Sequence, residues 1–145
     1  MKIKFREGFR PFAPSVLADK ASKWFEIDCE SPYMLLVAQV REGKLVIPSV
    51  THVDNSARLQ TVSREEAPLY YDLIAEFEKL TGVPIIINTS FNVRGEPIVC
   101  TPHDAYLCFM RTNMDHLVLG HHVLDKREQP PLGEDVDWRT LYELD

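Results

Sequence analysis

The segment "APLYYDLIAEFEKLTGVPIIINTSFN", residues 67–92, combines the patterns of a helix and a strand. Its first part predicts a helix, because Pro68 suits a first helical turn and Gly82 is typical of the residue that ends one. Large apolar residues recur between these two positions at helical spacing, namely Leu69, Leu73, Phe77 and Leu80. The apolar run "IIIN" over 85–88 then predicts a short strand buried on both faces.

Hydrogen-bonding side chains follow this strand in unusual number: Asn88, Thr89, Ser90, Asn92 and Arg94. An ordinary turn needs only one or two such residues. Ligands of α/β sheets tend to bind beyond the carboxyl ends of the strands. The sequence therefore predicts a ligand site directly after the strand.

The remaining elements predict a mixed sheet with helices. Strands are expected over 33–40 and near 58–62, and a proline-containing edge strand over 45–50. A second helix is expected over 101–113, with Thr101 as its cap, followed by a strand over 115–120. The order of strands, helix, strand, helix and strand predicts an α/β (α+β) domain with a mixed sheet flanked by helices.

Composition narrows the class of protein. The chain has 145 residues and a net charge of −6, which fits one globular domain and disfavours non-specific binding of nucleic acid. No apolar run approaches the roughly 20 residues of a membrane helix, and the N-terminus does not resemble a signal peptide. Three cysteines without a CxxC pair predict reduced thiols and a cytoplasmic location.

Charge is distributed unevenly along the chain. Residues 1–10 hold four basic side chains against one acidic one, which indicates either a local anion site or a solvated terminus. Residues 128–145 form an acidic tail, in which "DWRTLYEL" is expected to form a short helix that docks on the domain. The predicted boundaries are therefore a domain over 1–127 and a tail over 128–145.

Two short patterns suggest a phosphate site. In a strand, Lys4 and Arg6 project from one face and repel each other unless an anion lies between them. Ser90 and Asn92 supply a hydroxyl and an amide that bind phosphate oxygens without adding charge. Each pattern is common, and taken alone it is better explained by surface charge and turn chemistry than by a phosphate site. No P-loop, GxGxxG, HExxH or GxSxG motif occurs, and the histidines near 116–122 predict no metal site.

Longer segments resemble one family throughout. "KFREGFRPFAPSVL", "IPSVTHVDNSARLQTV", "YYDLIAEFEKLTGVPIIINTSFNVRGEPIVCTPHDA" and "TNMDHLVLG" occur in its order and spacing. They resemble the C-terminal, YrdC-like part of the NodU/CmcH-type O-carbamoyltransferases, the family of the tobramycin carbamoyltransferase. The likeness covers roughly residues 3–125, and it implies a twisted mixed β-sheet flanked by helices.

The resemblance also implies a reaction and its ligands. The family's C-terminal part binds carbamoyl phosphate and ATP, with Mg²⁺, and makes carbamoyl adenylate. Its phosphate-gripping tetrad, KxR with SxN, matches Lys4, Arg6, Ser90 and Asn92, which are the expected catalytic residues. The expected substrate- and nucleotide-binding residues are Arg10, His52, Arg58, Asn88, Thr89 and Arg94, and no metal ligands are expected.

Departures from the family pattern leave alternatives open. The family's N-terminal, metal-binding transferase domain, which acts on the acceptor hydroxyl, has no counterpart here, and neither has the "GPRALGNRS" segment that normally precedes KxR. The chain is therefore expected to be the activating half of a carbamoyltransferase that works with that domain as partner. The alternatives are a nucleotide- or phosphate-binding module without turnover and an RNA-binding module. The acceptor substrate is not identified by the sequence.

Overall fold

The computed structural model describes residues 11–44, 46–93 and 95–133 of the chain. These residues fall into two compact units, a first unit of residues 11–89 and a second unit of residues 90–133. The described part contains a mixed four-stranded sheet, a two-stranded sheet and three α-helices. The predicted α/β class, with a mixed sheet flanked by helices, is confirmed.

The first unit is built on the four-stranded sheet. Its strands are β1 (Ala13–Leu17), β2 (Leu36–Gln39), β3 (Ser56–Val62) and β4 (Ile85–Asn88), in the order β2-β3-β1-β4. Strand β1 runs parallel to β3 and antiparallel to β4, and β2 is antiparallel to β3. The carboxyl ends of β2 and β4 therefore lie at the same end of the sheet as the amino ends of β1 and β3. The helices of the unit are α1 (Ala21–Trp24), preceded by a 3₁₀ turn over Ala18–Lys20, and α2 (Pro68–Thr81).

One side of the sheet, here called the first face, carries the larger hydrophobic core. Side chains alternate between the two faces along a strand, so Ala57 and Leu59 of β3 leave the sheet on this side. They pack with residues of the neighbouring strands and with the end of α1 in one buried cluster, whose members are Val16, Ala21, Trp24, Phe25, Ala38, Val40, Ala57, Leu59 and Ile85.

The opposite side, here called the second face, is divided in two. Under α2 it is apolar, because Leu17 and Val62 form a buried cluster with Ile74 of the helix, and Ile86 packs against them. Toward the amino ends of β1 and β3 the same face carries polar side chains. These four residues, Ser15, Arg58, Gln60 and Asn88, are called the polar half of the second face.

Strand β4 corrects the expectation of a strand buried on both faces. Ile85 is 5% exposed, whereas Ile87 is 48% exposed and Ile86 is half-buried. The physical reason is position, because β4 is an outer strand in the four-stranded order and is paired only along β1. An apolar run therefore predicted the strand correctly but overstated its burial.

Helix α2 is confirmed, with Pro68 in its first turn and Gly82 as its left-handed C-cap at φ 76°. Its periodic apolar residues, however, are not the core: Leu69 is 75%, Leu73 58% and Leu80 86% exposed. The buried residue is Ile74, on an adjacent side of the helix. Helical spacing establishes that a helix forms, but the contact with β1 and β4 decides which side is buried.

The expected edge strand over 45–50 is wrong. Pro48–Val50 forms a 3₁₀ turn, and β2 pairs with β3 instead, with Leu36 opposite Leu59. Proline at the first position of this turn fixes the backbone in a helical conformation and removes a ladder donor. A tight turn follows β2, with the Lys44 N–H donating to the Arg41 carbonyl at 2.9 Å.

The second unit contains α3 (Pro102–Arg111) and a hairpin of β5 (His116–Leu119) and β6 (His122–Asp125). The predicted Thr101 cap is confirmed, because Thr101 and Asp104 form a reciprocal capping box at the start of α3. At the other end of α3, the Lys126 ammonium donates to the Phe109 carbonyl at 2.6 Å and also to the Thr112 carbonyl. Of the helices in the described ranges, none has the length and apolar character of a membrane span.

Candidate functional site

The polar half of the second face is held together by Gln60. Its Oε1 accepts a hydrogen bond from Ser15 Oγ at 2.7 Å and a second from Asn88 Nδ2 at 2.6 Å. Its Nε2 donates to the Pro32 carbonyl at 3.0 Å. One glutamine therefore links three adjacent strands, β3, β1 and β4, and fixes the orientation of the Asn88 amide at the end of β4.

Ser15 and Gln60 were missed as site residues in the sequence. Ser15 is fully buried within an otherwise apolar strand, and its hydroxyl is satisfied by Gln60. A signal existed for Gln60, because alternation in "ARLQTV" places it on the same face as Arg58. Nothing in the sequence indicated that Ser15 and Asn88 would converge on the same amide oxygen.

Arg58 stands at the exposed edge of this polar half. Other arginines of the described residues have partners: Arg41 donates to the Ser22 carbonyl, Arg64 pairs with Asp72 and Arg127 with Asp125. Arg111 also has a partner. Across residues 11–44, 46–93 and 95–133, no carboxylate or hydrogen bond engages the Arg58 guanidinium, and the residue is exposed.

His52 lies in a tight turn that leads into β3. The His52 N–H donates to the Ser56 carbonyl at 2.7 Å, and the Asn55 N–H donates to the His52 carbonyl at 3.0 Å. Asn55 has a left-handed backbone with φ 64°. This is the arrangement of a three-residue loop closed by a left-handed residue, and it places the His52 and Ser56 side chains next to each other.

A chain of hydrogen bonds runs through this turn. Asp54 Oδ1 accepts from the Ser56 hydroxyl at 2.7 Å and from the Ser56 N–H at 3.0 Å. The hydroxyl oxygen lies 2.8 Å from His52 Nδ1. The hydrogen bond from the Ser56 hydroxyl, followed by that from its N–H, lowers the pKa of Asp54 below its ordinary value. Asp54 is therefore an ionised acceptor at neutral pH, and Ser56 connects it to the imidazole.

The Ser90–Asn92 pair occupies a loop of the second unit. The Ser90 hydroxyl donates to Asn92 Oδ1 at 2.6 Å, and Asn92 Nδ2 donates to the Glu96 carbonyl at 2.7 Å. The Glu96 carboxylate accepts from the Val93 N–H at 3.0 Å. These contacts close the loop on itself, so the serine hydroxyl and the asparagine amide are presented as one pair.

The predicted site residues are thus partly accounted for. Arg58, Asn88 and the turn of His52 lie at one end of the first unit's sheet, and exposed Thr89 follows Asn88. Ser90 and Asn92 contact each other in the second unit. The four other predicted residues lie outside the described residues: Lys4, Arg6, Arg10 and Arg94. The described part of the chain also contains no group of three or more histidine, cysteine or carboxylate side chains placed to hold a metal ion.

Relatives of the chain are proteins several times its length. It is 53% identical to an uncharacterized protein of Synechocystis sp. (sll1178), with all of this chain and 27% of the relative covered. It is 48% identical to nodulation protein NolNO of Sinorhizobium fredii, over 96% of this chain and 20% of the relative. It is also 50% identical to nodulation protein U of Rhizobium tropici, over 65% of this chain and 16% of the relative.

The sequence profile of one family, carbamoyltransferase C-terminus, matches residues 1–126. The match includes every predicted site residue, those of the described units and those outside them. It also includes the polar half of the second face and the turn of His52. The chain therefore belongs to the carbamoyltransferase C-terminus family.

Proposed function

We propose that this chain is the carbamoyl-activating domain of an O-carbamoyltransferase, which binds carbamoyl phosphate and ATP and forms carbamoyl adenylate. The observation that supports this best is Arg58. It is an exposed cation without a partner among the described residues, in a chain with a net charge of −6. It lies at the same end of the sheet as Asn88, whose amide donates to Gln60 across the intervening strand β1. Such a guanidinium is suited to a phosphate or carboxylate oxygen.

The Ser90–Asn92 pair supplies the second element of the proposal. In the structure the Ser90 proton is donated to a neutral amide oxygen. A phosphate oxygen is a stronger acceptor because it is charged, so a bound phosphate would take this proton in place of Asn92. Lys4 and Arg6, which complete the tetrad of the family, would neutralise the remaining charge of the phosphates.

The chemistry needs positioning and charge neutralisation rather than a nucleophilic side chain. Hydrolysis of carbamoyl phosphate gives carbamate and phosphate. A carbamate oxygen then forms a bond to the α-phosphorus of ATP, and the bond to pyrophosphate breaks. The role of the cationic residues is to stabilise the negative charge on the phosphates, and the reaction also requires that the reactants be held in line.

Mg²⁺ would enter with the nucleotide. Magnesium in such sites is commonly held by substrate phosphates, water and one or two carboxylates. In this proposal the metal is carried mainly by the triphosphate of ATP.

The chain spans about a fifth to a quarter of the length of the relatives that it matches over nearly all of its residues. We therefore place the transfer of the carbamoyl group to an acceptor hydroxyl on a separate, metal-binding N-terminal domain, which is the proposed partner. Free thiols at Cys29, Cys100 and Cys108 support a cytoplasmic setting as part of the same proposal.

Calorimetric titration with ATP·Mg²⁺ and then with carbamoyl phosphate tests the proposal, with pyrophosphate release assayed in the same samples. Arg58→Ala, Arg6→Ala and Ser90→Ala should each weaken binding without loss of folding stability. The loss of one hydrogen bond to a charged group, worth about 1.5–3 kcal/mol, corresponds to roughly 10- to 100-fold weaker binding.

The matched control is Arg64→Ala. Arg58 lies within β3, and Arg64 lies just after the end of the same strand. Unlike Arg58, Arg64 forms an ion pair, with 2.6 Å between its guanidinium nitrogen and the Asp72 carboxylate oxygen. This variant should bind like the unaltered chain. Binding without pyrophosphate release would indicate a phosphate-binding module that needs further groups for turnover. Binding of neither ligand would contradict the proposed function for this chain.

A further inference from the structure

The turn of His52 carries a chemical consequence for the imidazole. A hydroxyl has one proton, and the Ser56 proton is directed to Asp54 Oδ1 at 2.7 Å. The Ser56 oxygen, 2.8 Å from His52 Nδ1, can therefore act only as an acceptor toward the ring. In the neutral imidazole this places the proton on Nδ1 and leaves a lone pair on Nε2.

Burial and several hydrogen bonds hold the geometry that sets this tautomer. Ser56 is 3% exposed, so its hydroxyl has little access to water that could take over either contact. The Asp54 oxygen is held by the Ser56 N–H as well as by the hydroxyl, and the turn is closed by two backbone hydrogen bonds. The direction of the chain of hydrogen bonds is thus set by the ionised Asp54.

A lone pair on Nε2 can accept a hydrogen bond from a ligand but cannot donate one. Phosphate and carboxylate oxygens are acceptors, so neutral His52 cannot donate to them from Nε2. Neutral donors are suited to it, and two are found among the ligands of the proposed function: the amino group of a carbamoyl group and the hydroxyls of a ribose.

The turn also lies at the correct place for such a contact. Ser56, Arg58 and Gln60 leave β3 on the same face, so the imidazole joins the edge of the polar half of the second face. His52 is half-buried there, and the ring atom in contact with Ser56 is Nδ1. The Arg58 cation would bind an anionic oxygen of the ligand, and the neutral His52 imidazole would accept a hydrogen bond from a different group of the same ligand.

We infer that His52 is a specificity-determining acceptor, oriented by the Asp54–Ser56 pair, which receives an N–H or O–H of the ligand at this site. The inference rests on the proposed function for the identity of the ligands. Ser56 and Asp54 are positioning residues in this scheme, because they act through the imidazole.

The tautomer is tested first, on the free protein. Two-bond ¹H–¹⁵N correlation spectra at about pH 8, where an ordinary imidazole is neutral, distinguish the two forms of each ring. The chain has five histidines, and His52→Phe identifies the signal of His52. We expect a proton on Nδ1. Ser56→Ala and Asp54→Ala should each allow the other form, whereas Ser56→Thr, which keeps the hydroxyl, should not.

Asp54→Ala keeps the test decisive if Ser56→Ala fails to fold, because Asp54 is exposed. Its removal leaves the Ser56 proton free to turn toward Nδ1, so the ring should shift toward the Nε2–H form. A proton on Nε2 in the unaltered protein would overturn the inference.

Ligand discrimination is tested next by calorimetry. Acetyl phosphate replaces the amino group of carbamoyl phosphate with a methyl group, and 2′-deoxy-ATP and 3′-deoxy-ATP each lack one ribose hydroxyl. The unaltered chain should prefer the ligand with the donor in one of these pairs by about three- to tenfold, the value of one ordinary hydrogen bond. His52→Phe should abolish that preference, and His121→Phe, in the exposed turn of the second unit's hairpin, should retain it.

The outcomes separate the inference from the function on which it rests. If His52→Phe loses the preference for carbamoyl phosphate over acetyl phosphate, the amino group is the donor to His52. If it loses the preference for ATP over one deoxy-ATP, the donor is the ribose hydroxyl that this deoxy-ATP lacks. Binding of all ligands with preferences unchanged in His52→Phe would overturn the inference and leave the proposed function intact. Binding of none would remove both.

Discussion

The two faces of the four-stranded sheet use the same strands for different purposes. On the first face, Leu59 and Phe25 are fully buried in one apolar cluster. On the second face, the neighbour of Leu59 in sequence, Gln60, organises hydrogen bonds across three strands. Because side chains alternate along a strand, a single segment contributes to the core with one residue and to the candidate site with the next.

A polar site inside the sheet of a small domain requires that its buried polar groups be paired. Burying an amide or hydroxyl is costly unless its hydrogen bonds are made. Ser15 is the fully buried member of the polar half, and its hydroxyl donates to Gln60. Among the described residues, every buried side-chain nitrogen and oxygen has a partner. In the polar half, Ser15, Gln60 and Asn88 satisfy one another through hydrogen bonds, whereas the first face depends on close packing.

Removing a core side chain from the first face should lower the free energy of unfolding more than any other change proposed for the sheet. Leu59→Ala removes a fully buried side chain, so we expect the free energy of unfolding to fall by about 2–5 kcal/mol. Ile86→Ala, at a half-buried position on the second face, should cost clearly less, about 1 kcal/mol, since part of the side chain is already in water. Chemical denaturation of both variants measures the difference. Equal losses would contradict the division of burial between the faces.

Removing the amide of Gln60 should cause the next largest fall in the free energy of unfolding. Gln60→Leu leaves the buried Ser15 hydroxyl without its acceptor, and an unsatisfied buried group costs about 1–3 kcal/mol. Ser15→Ala in the same chain removes that orphaned hydroxyl, so the double variant should recover part of the loss.

Denaturation of the two single variants and the double variant gives the coupling energy directly. Additive losses would show that Ser15 and Gln60 do not depend on each other. Recovery in the double variant would show that the network, and not the glutamine alone, supports the polar half.

Much of this division was predictable from the sequence, because it follows from local periodicity. Alternation in "ARLQTV" separates Leu59 from Gln60, and the caps at Gly82 and Thr101 follow from residue type. The long helix over 68–81 was predictable for the same reason. These features depend on neighbours within a few residues, where single-sequence patterns carry the most information.

What could not be predicted depends on partners distant in sequence. Ser15, Gln60 and Asn88 are separated by dozens of residues, and only the strand order β3-β1-β4 brings them together. The buried side of α2 was also beyond the sequence, because both Ile74 and the more exposed Leu73 fit a helical period. The edge strand over 45–50 was wrong because an apolar run with one proline is compatible with a strand and with a turn.

Substitutions in the turn of His52 should lower the free energy of unfolding less than the substitutions on either face of the sheet. Asn55 has φ 64°, a conformation that costs a residue with an ordinary side chain roughly 1–2 kcal/mol. Asn55→Ala should therefore lower the free energy of unfolding by about 1 kcal/mol, because asparagine tolerates this region better than alanine. Asn55→Gly should have little effect, since glycine adopts this conformation freely. Equal destabilisation by both variants would show that the asparagine side chain, rather than its backbone, matters.

The smallest effect is expected from the charge of Asp54, at the solvent-exposed end of the same turn. Its folded-state pKa is lowered, first by the Ser56 hydroxyl and then by the Ser56 N–H. A lowered carboxyl pKa stabilises the folded state above the unfolded value of about 3.9, and this contribution is lost as the pH falls through the folded pKa. Asp54→Asn should therefore be less stable than the unaltered chain at neutral pH, and the difference should shrink between about pH 5 and pH 2.

Chemical denaturation across this pH range measures the difference in the free energy of unfolding. Asp104→Asn serves as a comparison, because the Thr101 hydrogen bonds also lower the pKa of Asp104. A difference that stays constant with pH would show that Asp54 acts through the shape of its turn, and the orienting role of its charge toward Ser56 and His52 would have to be abandoned.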